Sequence, residues 1–141
     1  MTIDQIQDEI IEEFSFFDDW MDKYEYLISL GKDLPLIAPE HKDERHLIKG
    51  CQSRVWLHAD QEDGKVRFTA DSDAVITKGI IGLLVRALSG QPARAVAEAD
   101  LHFIDKIGLH EHLSPTRSNG LRSLLKQMKL YGLALAAKDQ S

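Results

Sequence analysis

The sequence predicts an α+β fold, a small antiparallel sheet of about three strands packed against helices. Two observations carry this. RVWLHAD (54–60) and KVRFTAD (65–71) alternate apolar and polar residues around QEDG, whose Asp63-Gly64 is a strong hairpin signal. On both sides of that pair, apolar residues recur at helical spacing in segments closed by capping residues, glycine or proline. At 141 residues the chain has the commonest size of one compact domain, and no repeat, low-complexity segment or linker divides it. Residues 1–141 are therefore read as a single domain.

In residues 4–15, Ile6, Ile10, Ile11 and Phe14 form a helical stripe separated by carboxylates. A second helix is expected over about 18–30, with Trp20, Tyr24, Leu27 and Ile28 on one side. Gly31 is its expected C-terminal cap, and Pro35 and Pro39 forbid continuation, so 34–45 reads as a loop. In the hairpin, Val55, Leu57 and Ala59 share one face of the first strand, and Val66, Phe68 and Ala70 one face of the second. Residues 46–48 are the expected third strand. Segment 71–90 begins with the capping types Asp71-Ser72-Asp73 and ends at Gly90, which predicts a buried helix. Gly79 and Gly82 each cost that helix roughly 1 kcal/mol relative to alanine, which points to close packing on another backbone. Short helices are expected from Pro92 and within 101–113. Ser114-Pro115 then opens a long helix with an apolar stripe of Leu121, Leu124, Leu125, Met128 and Leu135.

Hydrophobic content of 43% and charged content of 28% are those of a soluble globular protein. The longest apolar run, 74–88, is interrupted by Lys78 and Arg86 and is too short to span a bilayer. The N-terminus is acidic where a secretory signal would be basic, so a cytoplasmic location is expected. Residues 1–44 carry 13 acids and 3 bases, and residues 45–141 carry 10 acids and 14 bases. The acidic N-terminal part does not suit nucleic acid and could steer a basic partner; it also fits a solvated helix surface.

Cys51 is the only cysteine, so no internal disulfide forms. A lone cysteine is commonly a buried small hydrophobe. Here Gly50 and the polar pair Gln52-Ser53 describe a loop, and Lys49 and Arg54 are cations of the kind that favour thiolate. On the residues alone, a packing role and a nucleophilic role both stand. The six histidines are His41, His46, His58, His102, His110 and His112, and no spacing selects a partner for the thiol. His110 and His112 lie two apart, which on a helix sends the rings to different sides, so no metal site is expected. Dinucleotide, P-loop and serine-hydrolase signatures are absent. Arg117 stands in the first turn of a helix, where the macrodipole disfavours a cation, which marks it for pairing or partner contact.

IKGCQSRVWL (48–57), DSDAVITKGIIGLLV (71–85) and HLSPTRSNGLRSLL (112–125) together closely resemble the SufE family of sulfur-acceptor proteins. The resemblance runs from WMDKYEYLISLGKDLP (20–35) to the final helix and is shared by the similar CsdE-type acceptors. It implies a fold similar to IscU-type scaffolds, with Cys51 as the persulfide-carrying cysteine. It further implies a SufS-type cysteine desulfurase as sulfur donor and a SufB-type iron–sulfur scaffold downstream. Pyridoxal phosphate belongs to the desulfurase, so the chain itself is expected to need no cofactor. A scaffold holds its cluster with several cysteines; one cysteine suits a carrier, since a second would resolve a persulfide into a disulfide.

Gly50, Gln52, Ser53, Asp73 and Arg117 are the residues expected to support the loop or meet the partner. Leu47, Ile48, Val55 and Trp56 are apolar enough to shelter an inward-pointing Cys51, with Gly50 as hinge. The rival readings are a regulatory binding module with a structural Cys51, and a thiol hydrolase needing a histidine base. Whether the chain forms a homodimer is not encoded in any motif.

Overall fold

The computed structural model describes residues 1–49, 53–113 and 115–139. Its elements are α1 (Ile3–Ser15), α2 (Trp20–Gly31), β1 (Val55–Glu62), β2 (Lys65–Ser72), α3 (Val75–Leu88), β3 (Gln91–Pro92), α4 (Ala93–Ala97), α5 (Phe103–Lys106) and α6 (Pro115–Asp139). The three strands form one antiparallel sheet in the order β1-β2-β3. The architecture is thus the expected α+β fold.

The hairpin is built as its turn dictates. Asp63 and Gly64 have φ of 53° and 77°, the two positive angles of a type I′ connection, and Glu62 pairs with Lys65 across it. From that turn the register runs to Val55 opposite Ser72. Val55, Leu57, Val66, Phe68 and Ala70 are all buried, and Ala59 packs against the same core at its edge. The third strand is not residues 46–48. A 3-10 turn over Glu44–His46 leaves only Leu47 in a bridge to Trp56, while the two residues of β3 pair with Lys65 and Val66 on the far side of β2.

The 34–45 segment is also more ordered than a simple loop. Leu36 forms a parallel bridge with Ala70, Ile37 N–H donates to Ala70 O (3.0 Å), and Ala70 N–H donates to Pro35 O (3.1 Å). After a second 3-10 turn, Pro39–His41, the chain reaches the opposite edge, where Ile48 N–H donates to Val55 O (2.8 Å). Residues 36–47 therefore strap the sheet from the edge of β2 to the edge of β1, and both edges gain backbone partners.

α1 starts in a capping box between Thr2 and Gln5, and buries Ile3, Ile10 and Phe14. It also buries Gln7 completely, which its polarity does not predict. The side-chain amide donates to Asp100 O (3.1 Å), and its oxygen accepts Phe103 N–H (3.1 Å), which ties α1 to the start of α5. Asp71-Ser72-Asp73 do not cap α3, contrary to expectation. β2 runs through Ser72, and α3 begins only after Ala74, which makes no side-chain cap.

Gly31 is the last residue of α2, followed by Lys32 in right-handed helical conformation, so it is a packing residue and not a left-handed cap. A Cβ there would lie 2.9 Å from Gly79 N. The reciprocal contact is tighter: a Cβ on Gly79 would stand 2.1 Å from Leu27 O. α2 is thus the neighbour that the glycines of α3 serve. α6 buries Leu121, Leu124 and Met128, with Leu125 and Leu135 packed at the margin, and lies along α4. No helix among the described residues is long and apolar enough to cross a membrane.

On the helical side, Arg86 of α3 grips Glu13 of α1 with both terminal nitrogens (2.8 and 2.5 Å), and the Tyr26 hydroxyl donates to the same carboxylate. The Arg86 bonds hold the Glu13 carboxyl below its ordinary value, although partial burial works the other way. Burial, and then the Glu13 carboxylate, raise the Tyr26 phenol.

Two predictions arise from this packing. Gly79→Ala sets a methyl group against an immovable carbonyl and should cost about 3 kcal/mol, whereas Gly82→Ala, 3.4 Å from Leu30 O, should be neutral or stabilise by up to about 1 kcal/mol. Thermal melts of both variants check this; equal melting temperatures would contradict the close α2–α3 contact. Because the folded-state pKa of Glu13 is depressed, its contribution is present above the unfolded value near 4.5 and is lost as pH falls through the folded one. Urea titrations should show wild type exceeding Glu13→Gln by about 1 kcal/mol at neutral pH, with the gap closing below about pH 4.5.

Candidate functional site

Gly50, Cys51 and Gln52 lie outside the described residues, and with them the expected inward orientation of the thiol. What the structure fixes is the frame around them. The chain leaves the sheet at Ile48 and rejoins it at Val55, which exchange the 2.8 Å ladder bond; Ile48 is 9% exposed and Val55 1%. Lys49 is exposed, Ser53 is half-buried in a bend, and Leu47 and Trp56 are half-buried. The apolar flanks singled out in the sequence thus close the base on either side of the 49–54 interval.

Asp73 is joined to this frame. Its carboxylate accepts Arg54 N–H (3.0 Å), and its own N–H donates to Arg54 O (3.3 Å). The register puts it there: Val55 pairs with Ser72, so the next residues outward, Arg54 and Asp73, meet as the ladder ends. Ser72 supports the corner by accepting Ala74 N–H on its hydroxyl (3.2 Å). Arg117 belongs to the first turn of α6, and its side chain lies outside the described atoms, so no contact with Asp73 is assigned.

A cleft of about 520 Å³ lies beside the frame, between residues 44–49 and the α6 residues Ser123, Lys126, Gln127, Leu130 and Tyr131. The residues leading to Cys51, 44–49, form one of its walls. On the outer face of the hairpin, Trp56 lies under the Lys42 ammonium, 4.6 Å from the ring centroid. Lys42 also pairs with Asp71 (2.9 Å), which Lys78 meets from α3 (3.3 Å). Partial burial opposes ionisation of Asp71, but bonds from Lys42, the Ser72 N–H and Lys78 hold its carboxyl below the usual value.

The same face carries a feature that sequence spacing does not reveal. His41, His46 and His58 each offer a ring nitrogen within 4.8 Å of the others'. They come from the two 3-10 turns of the strap and from β1, so only the strap's path brings them together. His46 Nδ1 lies 2.8 Å from Asp43 Oδ1, and that contact is the main reason the Asp43 carboxyl is lowered to about 2. His112 is elsewhere, stacked on Trp20 at 3.8 Å.

Residues 8–132 match the family model SufE, described as an Fe-S metabolism associated domain. An uncharacterized SufE-like protein of Rhizobium etli is 43% identical over 127 residues, covering 86% of each chain. A chloroplastic/mitochondrial SufE-like protein 1 of Arabidopsis thaliana is 38% identical over 94% of this chain and 36% of its own length. The solution structure of a hypothetical protein from Thermus thermophilus superposes with a TM-score of 0.78 at 26% identity, covering 94% of this chain and 96% of that one. The chain belongs to the SufE family, and its place is in iron–sulfur metabolism.

Proposed function

We propose that this protein is a cytoplasmic sulfur acceptor that takes sulfane sulfur from a cysteine desulfurase as a persulfide on Cys51. It thereby stimulates the desulfurase, and passes the sulfur to an iron–sulfur scaffold. The observation that carries this reading is a lone thiol placed, in a SufE-family chain, between two ends held by the Ile48–Val55 ladder bond and the Arg54–Asp73 pair. The chemistry balances simply. The Cys51 thiolate attacks the outer sulfur of the desulfurase's own cysteine persulfide, the S–S bond breaks, and the donor cysteine leaves as thiolate. No net oxidant or reductant is consumed.

The frame suits such a relay because it ties both ends of a short interval to the sheet. Asp73 anchors that segment on its outgoing side. Arg117, together with Gly50, Gln52 and Ser53, belongs to the proposed surface around it. A cation in the first turn of α6 works against the helix dipole, a cost that a carboxylate on the partner would offset.

Cys51→Ser should fold normally and lose sulfur transfer entirely, because a hydroxyl neither ionises in this range nor forms a persulfide. Intact mass after incubation with desulfurase and cysteine is the readout: wild type gains one sulfur atom, reversibly with reductant, and the variant does not. Full desulfurase stimulation by the serine variant would favour the alternative, a regulatory module with a structural Cys51.

Iodoacetamide labelling addresses the frame. Cys51 in the free protein should react more slowly than a model thiol, and faster once a desulfurase lacking its nucleophilic cysteine is bound. Asp73→Ala should accelerate labelling of the free protein and cost about 1 kcal/mol, while Asp73→Asn, which keeps an acceptor oxygen, should not. Arg117→Glu should leave free labelling unchanged and weaken only the acceleration by desulfurase. Uniform labelling across these variants would remove Asp73 and Arg117 from the site.

A further inference from the structure

The histidine cluster poses a problem of protons. His46 and His58 each direct one ring nitrogen at a carboxylate: His46 Nδ1 at Asp43 (2.8 Å) and His58 Nε2 at Asp60 (3.1 Å). A carboxylate only accepts, so the N–H of each neutral ring resides on that outer nitrogen. The inner nitrogens, His46 Nε2 and His58 Nδ1, are then both lone pairs, and they face each other at 3.1 Å. Two lone pairs at that distance repel unless a proton or a metal ion lies between them.

We propose that His41, His46 and His58 form a binding site for a divalent transition-metal ion of the zinc class, with Asp43 and Asp60 as the outer carboxylates that orient two of the rings. Zinc–imidazole bonds of about 2.0–2.1 Å in tetrahedral array separate two ligand nitrogens by about 3.3–3.4 Å, close to the observed spacing. The carboxylate–histidine pairs are the arrangement that fixes the tautomer and ring orientation of metal-bound imidazoles. His41 stacks on His58 with centroids 3.9 Å apart and planes 7° from parallel. Parallel rings do not aim at one point, so His41 becomes the third ligand by turning about its side-chain bonds. Three nitrogen donors leave a fourth position for water.

The surroundings fit. The His46 and His58 side chains are 14% and 18% exposed, which makes them sheltered yet reachable. Two of the ligands come from the strap and one from β1, so the ion would clasp the strap to the sheet just before the segment that carries Cys51. This site uses none of the persulfide chemistry and stands or falls independently of it.

Cobalt(II) is the probe, titrated into the full chain carrying Cys51→Ser so that the thiol cannot ligate. The expected result is saturable uptake of one ion per chain with the intense visible bands of a four-coordinate site, displaced by zinc. His46→Gln and His58→Gln should each weaken uptake by more than about tenfold, and Asp43→Asn by about tenfold or more. His102→Gln, remote from the cluster, should not change it. Should a variant at His46 or His58 fail to fold by circular dichroism, His41→Gln, which removes the ring stacked on His58, decides the matter through the same titration. Uptake undiminished by loss of these rings would overturn the proposal. So would nitrogen NMR spectra in which one ring of the pair stays doubly protonated at neutral pH with equimolar zinc present, for a proton would then hold the place assigned to the metal.

Discussion

The register of one hairpin positions nearly everything that matters here. Asp63 and Gly64 supply the positive φ angles of a two-residue turn, and from Glu62–Lys65 the pairing counts outward without a bulge to Val55–Ser72. A slip of one residue would turn Val55, Leu57, Val66 and Phe68 to the outer face and strand their burial. The core therefore locks the register, and the register in turn decides which polar residues meet. Trp56 lies opposite Asp71, so Lys42 can bridge the ring and the carboxylate. Arg54 and Asp73 come together at the open end. A corner that looks like helix capping in the sequence is in fact the termination of a ladder.

The strap over 36–47 depends on that hairpin in two ways. Its ends take up the unpaired backbone groups of β2 and β1, and its middle crosses the face away from the core. An outer face without a helix would ordinarily be left to water; here it collects Trp56, His58 and Asp60 from β1 beneath His41, Lys42 and His46. Polar groups on such a face are only half desolvated, which is why they can form ion pairs and ring contacts without the penalty of full burial.

How much of this is legible in the sequence follows from the range of the interactions. The hairpin turn, the alternating strand faces and the helices of the chain are local, and their residues announce them. Gly79 announces a close approach but not its partner, because nothing in α3 states that Leu27 will present its carbonyl there. The third strand escapes a reading by pattern since β3 is two residues long, too short to have a period. Gln7 looks like surface; only the arrival of Asp100 and Phe103, more than ninety residues later, satisfies its amide inside the core. Cys51 and Asp73 stand out through loop chemistry and family resemblance. His41, His46 and His58 do not, because spacings of five and twelve residues across three elements carry no ligand periodicity.

A sulfur relay gains from standing at the end of a ladder. A thiol in the middle of β1 would be rigid and sheltered, and presenting it would require breaking strand pairs. A thiol on a long loop would be free, and ordering it against a partner would cost about 1–2 kcal/mol for every residue fixed. Between Ile48 and Val55 only six residues intervene, and the last of them, Arg54, is already bound to Asp73. On the proposed reading, the interval that carries the thiol is therefore short and tied at both ends. The 2.8 Å bond from Ile48 N–H to Val55 O closes the base below that interval, so both of its ends are tied to the sheet.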